Sequence, residues 1–300
     1  MGSTTDLLLF ATVCIWAFNI TVTRYVLQHG FRPLTYASFR YGLAALLAAG
    51  IGLALEGTLR VHGRRATGLV ALAVVFLWLN QICFVYSLKL ATATTVSLVL
   101  GTTPIFAAAF SSLVGLERVT PRFWAAAAIS MAGVALVAIG AGGQLSADLG
   151  GDLLAVGMAA TWAAYSVCVA PLMRTYSPYR ISGLVLLPTA AGLLLLSLGQ
   201  LSGERYGSIT TLDWLALAFA VVGPLILTNV LWFTAIGRVG PARATLFTNL
   251  QPFIAVVFAV ALLSETLSGI QIAGGVLIAI GIGVGRVRTT RAEPVPAPAE

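Results

Sequence analysis

Six groups of polar and aromatic residues stand inside otherwise apolar stretches of this chain. They are Trp16 with Asn19; Trp78, Asn80, Gln81 and Tyr86; Thr102 with Thr103; Trp162, Tyr165 and Ser166; Asn229 with Trp232; and Asn249 with Gln251. Amides, hydroxyls and indoles hold small solutes by hydrogen bonds and ring contacts. They do not supply the paired acids, nucleophile–base pair or metal ligands that bond-making chemistry requires. The chemistry they offer is reversible binding. An unpaired amide is costly in hydrocarbon, so these groups are expected to face a protein interior or a wet cavity. Interhelical hydrogen bonding uses the same residue types. The set is therefore a better marker than any single member.

The charged residues narrow this further. All ten acidic residues, Asp6, Glu56, Glu117, Asp148, Asp152, Glu204, Asp213, Glu265, Glu293 and Glu300, fall in loops, tails or near the ends of apolar stretches. A protein that exchanges cationic drugs for protons needs a carboxylate at membrane depth, as proton carrier and counter-charge; that class is disfavoured. His29 and His62 lie in loops, which argues against a buried histidine relay and against an intramembrane enzyme. A channel would show rings of charge, and none is seen. The solute is expected to be neutral, zwitterionic or mildly anionic. Arg24, Arg40 and Lys89 approach one side of the first three apolar stretches. They form either a basic vestibule for a carboxylate or side chains that snorkel to lipid headgroups.

These residues need an apolar scaffold, and composition provides one. Of 300 residues, 59% are hydrophobic and 9% charged, against roughly 25% charged in a soluble domain. Apolar stretches follow at about 7–28, 34–55, 67–88, 93–115, 122–140, 152–173, 180–200, 213–236, 242–263 and 270–285. Each is near the roughly 20 residues that cross a bilayer as a helix, and none alternates as a barrel strand would. The expected fold is an all-α polytopic membrane protein of ten transmembrane helices. The net charge of +7 comes from short loops rather than a nucleic-acid surface. Cys14, Cys83 and Cys168 lie inside predicted helices with no CxxC spacing, so neither disulfide nor zinc is expected. No cleavable signal is expected at the N-terminus, and residues 288–300 read as a disordered tail.

Twelve Lys and Arg residues flank the even-numbered loops and the C-terminus, and five lie on the other side. That bias predicts both termini in the cytoplasm. Two segments then repeat each other. Leu98, Pro104, Ala107, Phe110 and Glu117 match Leu246, Pro252, Ala255, Phe258 and Glu265 at a spacing of 148, and Gly133 matches Gly281 at the same spacing. Five helices separate the copies, an odd number, so the second copy is expected to run inverted. Inverted repeats are an architecture of secondary transporters. Pro104 and Pro252 each delete a backbone hydrogen bond and are candidate hinges. Pro188 and Pro224 also lie within spans, so proline alone marks no site.

The run from Ala91 through Pro104 to Gly115–Leu116–Glu117–Arg118 resembles the first EamA repeat. Gly240–Pro241–Ala242–Arg243–Ala244 through Leu250–Gln251–Pro252 to Ser264–Glu265 resembles the second. Ser264 departs from the usual glycine. The chain is thus similar to the ten-helix members of the drug/metabolite transporter superfamily from about residue 7 to residue 285. The resemblance implies a bacterial inner-membrane protein with five-helix repeats at 1–141 and 152–287. It implies transport of small metabolites by alternating access, most often export of amino acids or related solutes. Import of a nucleotide- or vitamin-like metabolite, or multidrug export, are alternatives within the same family. Partners are expected to be the solute and membrane lipids, with no cofactor, metal or nucleic acid, in a monomer or an oligomer.

Overall fold

The computed structural model describes residues 3–91, 96, 99–140, 149–254, 257–258 and 268–285. Glu265, Ser264, the tail and most of 92–98 lie outside the described residues. Every element among the described residues is helical. In chain order they are α1 (Ser3–His29), α2 (Pro33–Glu56), α3 (Arg64–Leu90), α4 (Thr103–Leu113), α5 (Pro121–Gly140), α6 (Leu149–Leu172) and α7 (Pro178–Ser202). They continue with α8 (Thr211–Val239), α9 (Pro241–Leu246) and α10 (Gly269–Gly285). Seven of them, α1, α2, α3, α5, α6, α7 and α8, are long and apolar enough to cross a membrane.

Local sequence fixes where these helices begin. Pro33 and Pro178 occupy the first turns of α2 and α7, where a missing N–H costs nothing. The Ser177 hydroxyl accepts from the Arg180 N–H at 3.2 Å. Thr210 and Asp213 form a reciprocal capping box at the start of α8, satisfying two orphan donors at once. Asp213 is buried there, at a helix end, as its place near a span end led one to expect.

The two stretches that carry the repeat are not continuous α-helices. Gly101–Thr102 is a turn, and α4 starts only at Thr103. Pro104 thus stands in the first turn of α4 rather than in mid-helix, so its missing N–H was never needed for an internal bond. In the other stretch α9 passes into a 3₁₀ segment, Phe247–Leu250, directly before Gln251 and Pro252. Both prolines therefore follow a local departure from α geometry. A third departure lies at Pro224, where Val222–Leu227 is π-helical and the Thr228 N–H reaches the Gly223 carbonyl. The missing N–H of Pro224 explains why the α ladder yields here.

Helices five apart in order pack against each other: α2 on α7 and α5 on α10. The pairs α3 with α6 and α1 with α8 repeat one another in the same way. At α5–α10 the backbones touch. A Cβ placed on Gly133 would lie 2.6 Å from the Gly274 carbonyl oxygen, and one on Gly274 would lie 2.7 Å from that of Gly133. Small residues permit this approach where lipid supplies no hydrophobic drive. Between α2 and α7 the glue is polar: the Ser38 hydroxyl donates to Ser197 Oγ at 2.7 Å, and the Leu34 N–H donates to Gln200 Oε1 at 2.9 Å.

Candidate central binding site

The helix pairs enclose a cavity of about 110 Å³. Pockets that bury drug-sized ligands run to roughly 300–1,000 Å³, so this one suits a small metabolite. Its polar lining consists of Asn19, Arg40, Asn80, Gln81, Thr103, Asn229, Thr248 and Gln251. Trp16, Trp162, Tyr41 and Phe84 add aromatic surface. No acidic residue lines it among the described residues.

The lining follows the repeat. Leu77 with Leu225, Gln81 with Asn229, Leu100 with Thr248, and Thr103 with Gln251 all stand 148 residues apart, and all eight face the cavity. Trp16 with Trp162 and Arg40 with Leu186 stand 146 apart and do the same. Four of these pairs match in size or polarity. The other two do not: the hydroxyl of Thr248 stands opposite Leu100 in the repeat, and the guanidinium of Arg40 opposite Leu186.

A chain of hydrogen bonds holds the polar wall. Arg40 Nη2 donates to Gln81 Oε1 at 2.6 Å, Gln81 Nε2 donates to Asn80 Oδ1 at 2.9 Å, and Asn80 Nδ2 donates to the Met158 carbonyl at 2.8 Å. It runs from α2 through α3 to α6. Arg40 is 3% exposed and lies within 5.3–5.5 Å of the Tyr36, Tyr41 and Phe84 ring centroids. On the opposite wall Trp16 Nε1 donates to Thr228 Oγ1 at 2.9 Å, and that hydroxyl donates to the Pro224 carbonyl. The π-helical segment thus orients both the indole and neighbouring Asn229.

The structure gathers Trp16, Asn19, Asn80, Gln81, Thr103, Trp162, Asn229 and Gln251 from the sequence-derived set around this cavity. It puts the others elsewhere. The Trp232 ring centroid packs 5.0 Å from that of Trp16 and is fully buried behind it. Tyr165 packs at a tilt between Trp162 and Phe233. Trp78 packs on Gly192 of α7. The Tyr86 hydroxyl accepts from Gln200 at 3.1 Å. Thr102 bonds back to the Val99 carbonyl at 2.6 Å, and Asn249 donates to Ser130 Oγ at 3.0 Å. These groups serve packing or interhelical bonding, the alternative use of polar residues in a membrane.

The three basic residues do not form one vestibule. Lys89 is exposed at the end of α3, Arg24 is half-buried on α1, and Arg40 alone lines the cavity. Arg40 sits two turns inside α2, which its proximity to a span end concealed. Thr248 also lines the cavity, at the station that apolar Leu100 holds in the first repeat, and nothing in its sequence sets it apart from a packing threonine.

Away from the cavity, Glu117 approaches the start of α9. Its Oε2 accepts the Ala242 N–H at 3.2 Å, over Gly240 at φ 83°. A side chain at Gly240 would be strained by that φ, and its Cβ would overlap the carboxylate unless Glu117 moved aside. Burial pushes the Glu117 carboxyl up to about 7, against the opposing pull of the Ala242 N–H and the Arg174 charge. Glu56 pairs with Arg180 at 2.7 Å between α2 and α7.

Comparison with known proteins agrees with this architecture. The model of the "EamA-like transporter family" matches twice, over residues 3–139 and 149–284. The "Uncharacterized inner membrane transporter YedA" of Escherichia coli (strain K12) is 29% identical over 90% of this chain and 87% of its own. A "Probable amino-acid metabolite efflux pump" of Salmonella typhimurium is 28% identical over 93% of this chain and 94% of its own. A solved crystal structure, 22% identical, shares the fold with a TM-score of 0.78 over 95% of this chain and 97% of that one.

Proposed function

The chain belongs to the EamA-like transporter family, a multi-pass membrane transporter of the drug/metabolite superfamily, and from that premise we propose that it exports amino acids or related zwitterionic solutes. The central cavity is the substrate site. Residues 1–141 and 152–287 are two five-helix halves of inverted topology in the bacterial inner membrane, with both termini in the cytoplasm. The halves rock about the cavity, exposing it to one side at a time, with the breaks before Pro104 and Pro252 as pivots.

The observation that carries this reading is that equivalent residues of both repeats line one cavity. A site between related halves is where alternating access requires it. The cargo reading draws on the all-neutral lining around one arginine, on the cavity's size, and on the efflux relative's name. With no carboxylate in that lining among the described residues, the solute gradient is the proposed driving force.

Counterflow in proteoliposomes tests this. Vesicles loaded with one unlabelled amino acid should accumulate the labelled form transiently, while nucleosides and quaternary amines should not drive exchange. Saturable flux of cations alone would overturn the cargo assignment. With membrane potential clamped, an imposed pH gradient should leave the flux nearly unchanged; strong acceleration would overturn the proposed driving force.

A further inference from the structure

We propose that Arg40 anchors a carboxylate of the transported solute, and that Asn19 and Thr103 receive its hydrogen-bond donors, so that the cavity takes a zwitterion in one fixed orientation. This rests on the central cavity being the substrate site.

The guanidinium carries five N–H donors. Nη2 uses one on Gln81, while Nε and Nη1 have no partner. The three neighbouring rings attract the charge through their faces, and Nε and Nη1 remain without a hydrogen-bond partner beside them. A buried cation without a counter-ion is expensive, and among the described residues the lining supplies no acid. The ligand must therefore bring the negative charge. A carboxylate matches the fork in geometry. One guanidinium is the only cation in the lining among the described residues, so it offers an ion pair to one carboxylate.

The same cavity holds unpartnered groups of the opposite kind. Asn19 Oδ1 and Thr103 Oγ1 are buried with no bond. A carbonyl oxygen accepts only, and a hydroxyl can accept, so the two suit an ammonium. The Trp16 and Trp162 rings on the same lining add faces that attract a cation. Unpartnered donors and acceptors in one small cavity are the complement of an α-amino acid. The repeat then sets the direction. Leu186 stands where a second Arg40 would be, so the lining offers the carboxylate one anchor, on the α2 side.

The test uses the full-length protein in detergent, read by intrinsic tryptophan fluorescence and by thermal shift. Probes are L-amino acids, their carboxamides, their decarboxylated amines, the matching 2-hydroxy acids and O-phosphoserine. Amino acids should bind, and carboxamides and amines should bind at least about tenfold more weakly, the span of one charge-assisted bond. Arg40→Leu should abolish this discrimination. Arg40→Lys, which keeps the charge and loses the fork, should fall between. Asn19→Leu should bring amino acids and 2-hydroxy acids to equal affinity, a readout that stands even where Arg40→Leu folds poorly. Carboxamides binding as well as amino acids, tightest binding by O-phosphoserine, or amino-acid binding unchanged in Arg40→Leu would each overturn the proposal. That last result would leave the amino-acid cargo standing. Arg40-dependent binding of 2-hydroxy acids alone would instead keep the anchor and overturn both the ammonium site and the cargo.

Discussion

Two tryptophans that look alike in the sequence have different duties. Trp162 borders the cavity, whereas Trp232 is fully enclosed behind Trp16. Trp162→Ala is expected to lower counterflow by about five- to tenfold, the effect of one lost aromatic contact at about 1–1.5 kcal/mol, with thermal stability near that of the parent. Trp232→Ala is expected to cost about 3–5 kcal/mol of stability, seen as a large fall in melting temperature. Equal behaviour of the two variants would contradict the division between lining and core. Glu117 gives a residue-level pH dependence. Its folded carboxyl keeps a proton to about pH 7, above the ordinary 4.5. Between those values the folded chain binds more protons than the unfolded one, so stability falls as pH rises through the window. Thermal unfolding from pH 4 to 8 should show that decline in the parent and a shallower one in Glu117→Gln.

At the scale of elements, the backbone contact between α5 and α10 and the π-helical segment of α8 carry separate expectations. Gly133→Val drives a side chain into the Gly274 carbonyl. Overpacking of this kind costs about 1–3 kcal/mol, and a loss of melting temperature checks it. Pro224→Ala restores the missing N–H and allows α8 to close into regular helix. That change rotates Asn229 relative to Trp16, so transport should fall while stability holds or rises. Helix number and apolar character were legible in the sequence because the bilayer imposes a length and a composition. The interruptions before Pro104 and Pro252 were legible only as prolines. Whether such a residue kinks a helix or starts one depends on where the preceding turn ends, which local sequence does not state. Pro224 is legible as a proline within a span, but its sequence does not state that the ladder yields there to π-helix. Sequence also could not divide the amides: Asn229 and Asn249 are alike in type and depth, yet one faces the cavity and the other bonds Ser130. Helix rotation decides that, and packing against neighbours sets rotation. Arg40 was legible as a cation near a helix end but not as a cavity residue.

At the scale of the molecule, the repeat and the cavity are one feature. A duplicated five-helix unit meeting its copy across α2–α7 and α5–α10 brings matching positions to a shared centre. In the alternating-access reading proposed above, small rotations at that interface would open either face. The measurement that bears most directly on this is two-sided accessibility of Thr103→Cys and Gln251→Cys, in a background with Cys14, Cys83 and Cys168 replaced by alanine. An impermeant thiol reagent is applied to right-side-out and inside-out vesicles, with and without the amino acid that drives counterflow. For an alternating-access site both cysteines should react from both sides, and substrate should protect both. Reaction from one face only, indifferent to substrate, would contradict a central site shared by the two halves.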